Sequence, residues 1–103
     1  MKEDEKLLRM IVLNAIRKKA DDIAKCSKAE GTTCNVYLTS VSWEIAEFSE
    51  IEKTFEELCE HISTDEEVLN LLNSVSEKRI KNPTLMPLVE EDGADIDLLF
   101  TLK

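Results

Sequence analysis

Cys59 and His61 have side chains that could support nucleophilic catalysis, because an imidazole can take the proton of a neighbouring thiol. They lie two positions apart on a predicted helix, where side chains point about 200° away from each other. A third group from another element would have to bring them together. We therefore interpret Cys59 as a small hydrophobic core residue, and His61 as an exposed residue in the last turn of its helix.

The sequence also lacks strong patterns for metal or phosphate binding. Cys26, Cys34 and Cys59 are eight and twenty-five residues apart, unlike the close ligand pairs of structural zinc sites. The segment EEDGADID lacks the spacing and the closing glutamate of a calcium loop. Two glycines in the whole chain are too few for a phosphate-cradling or dinucleotide-binding loop. We predict a non-catalytic protein with no cofactor and no metal.

Composition predicts where the protein works. Three cysteines, an odd number without the spacing of a disulfide framework, predict free thiols in a reducing compartment. The longest apolar run, at 10–13, is far shorter than the roughly 20 residues of a membrane span, and the N-terminus has no signal-peptide pattern. We therefore expect a cytoplasmic protein that does not enter a membrane. A net charge of −9 argues against nucleic acid as a direct ligand.

The most strongly patterned stretch, 40–62, predicts an amphipathic helix. Its apolar residues recur at steps of three and four, which places them on one helix face. These residues are Val41, Ile45, Phe48, Ile51, Phe55, Leu58 and Ile62. Residues 40–67 carry ten acids and one base, a net charge of −9 that equals that of the whole chain. Burying each large apolar side chain contributes roughly 1.5–3 kcal/mol, which outweighs the repulsion between neighbouring carboxylates.

In all, three helices are predicted, at about 3–30, 41–62 and 64–80, in a predominantly helical α+β fold. Trp43, the only tryptophan, falls where the second helix begins and is expected to anchor that junction.

The remaining segments predict a small two-stranded sheet. Apolar and polar residues alternate at 33–39 and at 95–102, the rhythm of strands, and pairing these two strands with each other is the simplest arrangement. Residues 82–94 contain two prolines and are predicted to be a connecting segment before the C-terminal strand. Residues 1–103 would then form a single compact domain. The alternative is an all-α helical bundle with an extended C-terminal tail.

Charge is divided unevenly along the chain. Residues 1–30 hold eight bases and six acids, a net charge of +2, whereas residues 31–103 hold five bases and sixteen acids, a net charge of −11. The basic residues of the first helix could lie along the acidic helix of the same chain or of a neighbouring copy, or form a solvated face of mixed charge. They are Arg17, Lys18, Lys19, Lys25 and Lys28.

These features favour a small acidic protein-binding module whose carboxylate-rich helix docks on a basic surface of another protein, such as a nucleic-acid enzyme. The expected role is that of an inhibitor or antagonist, of the nucleic-acid-mimic, phage anti-defence or toxin-neutralising type. The residues expected to bind the partner are Glu44, Glu47, Glu50, Glu56, Glu57, Glu60, Glu66 and Glu67.

Three other interpretations remain open. The alternative function is a homo-oligomeric structural or scaffold component, including a homodimer in which the 95–102 strand pairs across a two-fold axis. A small enzyme or metal protein that uses Cys59 and His61 is a third hypothesis. Finally, the acidic face could serve only to keep the protein soluble.

Overall fold

A three-stranded antiparallel sheet forms the centre of the fold, in a computed structural model that describes residues 3–28, 33–46, 53–77 and 79–103. The strand order is β1-β3-β2, so the last strand of the chain lies between the other two. In chain order the elements are α1 (Glu3–Lys18), α2 (Ala20–Ser27), β1 (Thr33–Ser42), α3 (Trp43–Ala46), α4 (Lys53–Ile62), α5 (Glu66–Ser76), β2 (Ile80–Val89) and β3 (Gly93–Leu102).

The sheet buries one face and exposes the other. Val36 of β1 lies opposite Leu98 of β3, which in turn lies opposite Leu85 of β2, and all three side chains are buried. One row further along, Tyr37 and Met86 flank Asp97 on the opposite face and are exposed. This alternation is what an antiparallel sheet with helices on one side requires.

The predicted two-stranded sheet is wrong, because the sheet has a third strand. The all-α alternative is also wrong, because a sheet is present. β2 occupies much of the 82–94 segment that was predicted to be a connection. Its prolines, Pro83 and Pro87, are compatible with a strand at the edge of a sheet, where a missing N–H can face away from the ladder. The register of β2 also shifts between Lys81 and Thr84, where Asn82 has a φ of 52°. The pairing of the 33–39 and 95–102 segments is observed, as β1 with β3.

The predicted first helix, 3–30, is two helices. Lys19 has φ −101° and ψ 13°, outside helical values, although its N–H donates to Ala15 C=O and its C=O accepts from Ile23 N–H. The helix is therefore interrupted at Lys19, with no proline or glycine to signal the break. Residues 29 and 30 lie outside the described residues.

The predicted helix at 41–62 is also wrong in its first part. Val41 and Ser42 belong to β1, and helical structure is described at α3 and again at α4. The predicted apolar stripe is confirmed on α4, where Phe55 and Ile62 are buried, together with Cys59. Residues 47–52 of the predicted helix lie outside the described part of the chain.

The predicted third helix, 64–80, is shorter than expected. α5 begins after Asp65, whose carboxylate accepts hydrogen bonds from the N–H groups of Glu67 and Val68 at 3.0 and 3.2 Å. It ends at Glu77, which adopts the left-handed conformation with φ 56°. Ile80, predicted to be helical, already belongs to β2.

The prediction of three free thiols is wrong as well. Cys26 at the end of α2 and Cys34 near the start of β1 form a disulfide, with their Cα atoms 6.1 Å apart, whereas Cys59 is free and buried. A spacing of eight residues carries no recognisable signal, yet the passage from α2 into β1 brings the two cysteines together. The thiol argument for a reducing compartment therefore does not hold for this pair.

Candidate functional site

α4 presents three of the predicted partner-binding carboxylates on one side. Glu56, Glu57 and Glu60 are exposed, while Phe55 and Cys59 on the opposite side of the same helix have no exposed surface. Residues three and four apart are neighbours on a helix, so the three carboxylates form one continuous surface. We call these three residues the α4 acidic face.

The carboxylates of α5 are arranged differently. Glu66 and Glu67 are exposed in its first turn, where negative charge favours the helix dipole. Arg9 of α1 lies 3.5 Å from Asp65 and 3.9 Å from Glu67. α1 therefore meets the start of α5 through Arg9, which is not among the basic residues predicted to lie along the acidic helix, and part of the charge of Glu67 is balanced within the molecule.

Glu44 belongs to a different surface, and Glu47 and Glu50 lie outside the described residues. Glu44 is exposed on α3, at the mouth of a groove with a volume of about 870 Å³. The lining comes from α1, from the end of β1 and the start of α3, and from the β2–β3 turn with the start of β3. We call this cavity the Trp43 groove.

Apolar side chains and carboxylates both line the Trp43 groove. Leu7 and Ile11 of α1 and Trp43 of α3 are half-buried and pack against the core. The carboxylate residues that line it are Glu44, Glu90, Glu91, Asp92 and Asp95. Only Glu44 among these belongs to the predicted partner-binding set.

Trp43 connects the groove to α4 and to the β2–β3 turn. Its indole N–H donates to the backbone C=O of Glu90 and its backbone N–H donates to the C=O of Asp92, both at 3.2 Å. Its ring meets that of Phe55 edge to face, with centroids 5.1 Å apart. These contacts agree with the anchoring role predicted for the only tryptophan.

The chain passes close to β1 where the β2–β3 turn enters β3, and this approach requires a glycine at position 93. A Cβ atom at Gly93 would lie 2.2 Å from the backbone oxygen of Val41, so this position cannot hold a side chain without moving the strand. The N–H of Glu90 donates to the C=O of Gly93 at 2.7 Å and closes the turn. The wall of the groove is therefore fixed by backbone contacts.

A hydrogen-bonded cluster on the open face of the sheet borders the groove. The hydroxyl of Ser40 donates to the carboxylate of Asp95 at 2.6 Å, and the hydroxyl of Tyr37 is hydrogen-bonded to that of Ser40. The ammonium of Lys19 lies 5.6 Å from the centre of the Tyr37 ring, within reach of a cation–π interaction. The register shift between Tyr37 and Thr39 places Ser40 opposite Asp95.

Cys59 and His61 occupy different environments. Cys59 is fully buried, as predicted, and desolvation, with a smaller contribution from the charge of Glu56, raises the pKa of its thiol to about 12. Its thiol is therefore protonated at neutral pH and a poor nucleophile. His61 is exposed, as predicted, and its Nδ1 contacts the carboxylate of Glu5 on α1.

The described ranges contain neither a candidate metal site nor a candidate membrane-spanning helix. Within them, no group of three or more His, Cys, Asp or Glu side chains could hold a metal ion. Across the same residues, no helix has the length and apolar character needed to cross a bilayer.

Comparison of the chain with protein-family models, with curated proteins and with solved structures finds no match. The α4 acidic face and the Trp43 groove are therefore the basis for a functional assignment.

Proposed function

We propose that this chain is a non-catalytic protein-binding module that docks carboxylates on a basic surface of a partner protein and blocks that surface. The observation that carries the proposal is the α4 acidic face. Its carboxylates stand on a helix whose other side is fixed in the core by Phe55 and Ile62. Their relative positions are therefore set before a partner arrives, which reduces the ordering cost of binding.

The negative charge of the protein would both attract the partner and block its basic surface. A net charge of −9 steers the protein towards a basic surface and raises the rate of encounter, an effect that weakens as salt rises. Once docked, the carboxylates occupy sites that would otherwise bind phosphates or other anions. A nucleic-acid enzyme, a defence protein and a basic toxin all present such surfaces, so inhibitors of the nucleic-acid-mimic, phage anti-defence and toxin-neutralising types share this physics.

A cytoplasmic site of action is part of the proposal. It can be tested by blocking thiols at the moment of cell lysis and measuring the state of Cys26 and Cys34 by mass spectrometry. Because the cytoplasm keeps most thiols reduced, both cysteines should be found free. Complete recovery of the Cys26–Cys34 disulfide would place the protein in an oxidising compartment.

The experiment that tests the proposed function is capture from a host-cell lysate. The immobilised wild type and the charge-reversed variant Glu56→Lys, Glu57→Lys, Glu60→Lys are eluted along a salt gradient, with mass spectrometry of each fraction. We expect a basic protein to be retained by the wild type, released as salt rises, and absent from the variant. Circular dichroism should show that the variant is folded, because the replaced side chains are exposed.

A matched control distinguishes the effect of the α4 acidic face from the effect of total charge. Asp21, Asp22 and Glu77 are also exposed, and changing them to lysine alters the net charge by the same amount. This control should retain the partner at low salt. Equal loss of the partner from both variants would show that net charge alone is responsible and would contradict docking through α4.

Homo-oligomerisation is the second candidate, and the exposed basic residues of α1 and α2 favour it. Arg17, Lys18, Lys25 and Lys28 are exposed and could meet the α4 acidic face of another copy. Pairing of β3 across a two-fold axis is excluded, because β3 is paired on both sides. Sedimentation that shows an oligomer at low salt and a monomer at high salt would support this alternative.

A further inference from the structure

We infer that the Trp43 groove binds a basic amphipathic segment of a partner protein. The occupant would place an apolar side chain against Leu7, Ile11 and Trp43, which we call the groove floor. Its lysine or arginine side chains would meet the carboxylate residues that line the groove, which we call the rim. This inference goes beyond the proposed function, because it concerns a different surface and a ligand with an apolar component.

The groove floor can bury an apolar side chain. Leu7 and Ile11 lie four residues apart on α1 and therefore on the same side of that helix, and Trp43 lines the groove beside them. All three are half-buried, pack against the core and line the groove. Burial of apolar surface here contributes roughly 25 cal/mol per Å² removed from water.

The rim selects a ligand with several positive charges. Five carboxylate residues line the groove, and no lysine or arginine does so among the described residues. They come from separate segments: Glu44 from α3, Glu90 and its two neighbours from the β2–β3 turn, and Asp95 from β3. A small monovalent cation can meet one or two of these groups. Successive basic side chains along a peptide can meet carboxylates from all the segments, which is why we favour a peptide segment.

The groove is built before a ligand arrives. Trp43 donates two hydrogen bonds to backbone carbonyls of the β2–β3 turn and so joins α3 to that turn. The absence of a side chain at Gly93 allows the backbone there to lie close to Val41. The Glu90 and Asp92 groups in these bonds are backbone carbonyls, so their carboxylates remain exposed. A preformed site pays less ordering cost on binding.

Trp43 is the only tryptophan, so its fluorescence reports on the groove directly. The probe is a synthetic peptide of lysine and leucine at amphipathic helical spacing, titrated into the full chain. We expect a saturable shift of Trp43 emission. A lysine–serine peptide of equal length and charge should give a much weaker response, because it cannot occupy the apolar floor.

Two variants with the same net charge locate the binding site. The groove variant Glu90→Gln, Glu91→Gln should bind the lysine–leucine peptide roughly fivefold more weakly, since it removes two exposed ion pairs. The α4 variant Glu56→Gln, Glu57→Gln should bind it as the wild type does. Ile11→Lys, which places a cation on the floor, should abolish binding and provides a second test of the groove.

Three outcomes would overturn the inference. Equal binding of the lysine–leucine and lysine–serine peptides would show simple attraction of a polycation. Equal weakening in both glutamine variants would assign the affinity to net charge. A Trp43 shift that depends on protein concentration without peptide would indicate a second copy in the groove. Failure of partner capture through α4 would leave these peptide results unchanged, so the two proposals are distinguishable.

Discussion

The two acidic surfaces of this protein differ in what lies beside their carboxylates. On the α4 acidic face, the apolar side of the same helix is buried through Phe55 and Cys59, so the exposed surface is charged. In the Trp43 groove, carboxylates surround apolar side chains that are only half-buried. Exposed ion pairs contribute about 0.2–1 kcal/mol each, whereas a groove adds burial of apolar surface. We therefore propose that the α4 acidic face binds through charge alone, whereas the Trp43 groove adds burial of apolar surface.

The fold explains this difference. α4 lies against β2, and the hydroxyl of Ser63, the residue after α4, accepts a hydrogen bond from the N–H of Leu85. Its apolar side is thereby covered by the sheet. The groove lies at the end of the sheet, where Leu7 and Trp43 pack against the core but are only half-buried.

The largest expected effect comes from Phe55, because it supports both surfaces. Phe55 has no exposed surface and meets the ring of Trp43. Replacement by alanine should lower the free energy of unfolding by about 3–5 kcal/mol and shift the emission of Trp43. Denaturant unfolding followed by Trp43 fluorescence measures both quantities. A loss below about 1 kcal/mol with unchanged emission would break the structural link between the two surfaces.

A smaller effect is expected from the disulfide, which belongs to neither surface. Relative to the oxidised wild type, in which the Cys26–Cys34 disulfide is formed, the variant Cys26→Ser, Cys34→Ser should lose about 2.5 kcal/mol of stability, because a closed loop of this length restricts the unfolded chain. Denaturant unfolding should show this loss, while peptide binding to the groove remains that of the wild type. Loss of peptide binding in the folded variant would show that the groove depends on the disulfide.

A substitution at Ser63 should weaken the attachment of α4 to β2 and leave the Trp43 groove unchanged. Its buried hydroxyl donates to Cys59 C=O at 2.7 Å and accepts from Leu85 N–H at 2.9 Å. Ser63→Ala leaves that N–H unpaired and should cost about 1–3 kcal/mol in denaturant unfolding. Thr64→Ala is the matched control, because the Thr64 hydroxyl is exposed, and it should cost less than about 0.5 kcal/mol. Equal costs would argue against a role for Ser63 in holding α4.

The last effect appears only at alkaline pH and is absent at neutral pH; it concerns Cys59, beneath the α4 acidic face. Its thiol pKa is raised from 9.0 to about 12 in the folded protein, so the folded state holds its proton over a range where the unfolded state releases it. The contribution of Cys59 to stability should therefore be complete below pH 9.0 and fall between pH 9.0 and about 12. The measurement is the difference in unfolding free energy between the wild type and Cys59→Ala, which should decrease by about 1.4 kcal/mol per pH unit within this range.

If the difference in unfolding free energy between the wild type and Cys59→Ala stays constant with pH, this result would contradict the burial of a protonated thiol. Because the charge of Glu56 adds to this pKa shift, Glu56→Gln should also lower the Cys59 pKa slightly, whereas Glu90→Gln should not.

The sequence predicted the parts of the fold that repeat a local pattern. Alternation predicted the pairing of β1 with β3, and helical spacing predicted the burial of Phe55 and Ile62. The predicted structure was wrong at Val41, because the register shift after Tyr37 moves the buried positions of β1 from even to odd numbers. Val41 then fits the helical stripe as well as it fits the strand, and the pattern alone does not distinguish them.

Much of the candidate site depends on contacts that no local pattern contains. The acids before Gly93 fall in the segment predicted to be a connection, and Glu44 falls in the predicted acidic helix. Their meeting with Leu7 requires the sheet to bring the β2–β3 turn beside Trp43. β2 was missed because its prolines are typical of loops and are compatible only with an edge strand.

The most direct test of the central claim is the salt dependence of the affinity for the captured partner, measured for the wild type and for the triple lysine variant of α4. We predict that the wild-type affinity falls steadily as salt rises, and that the variant binds weakly at every salt concentration with a flatter dependence. A wild-type affinity independent of salt, or a variant with the affinity and salt dependence of the wild type, would contradict binding through the α4 acidic face.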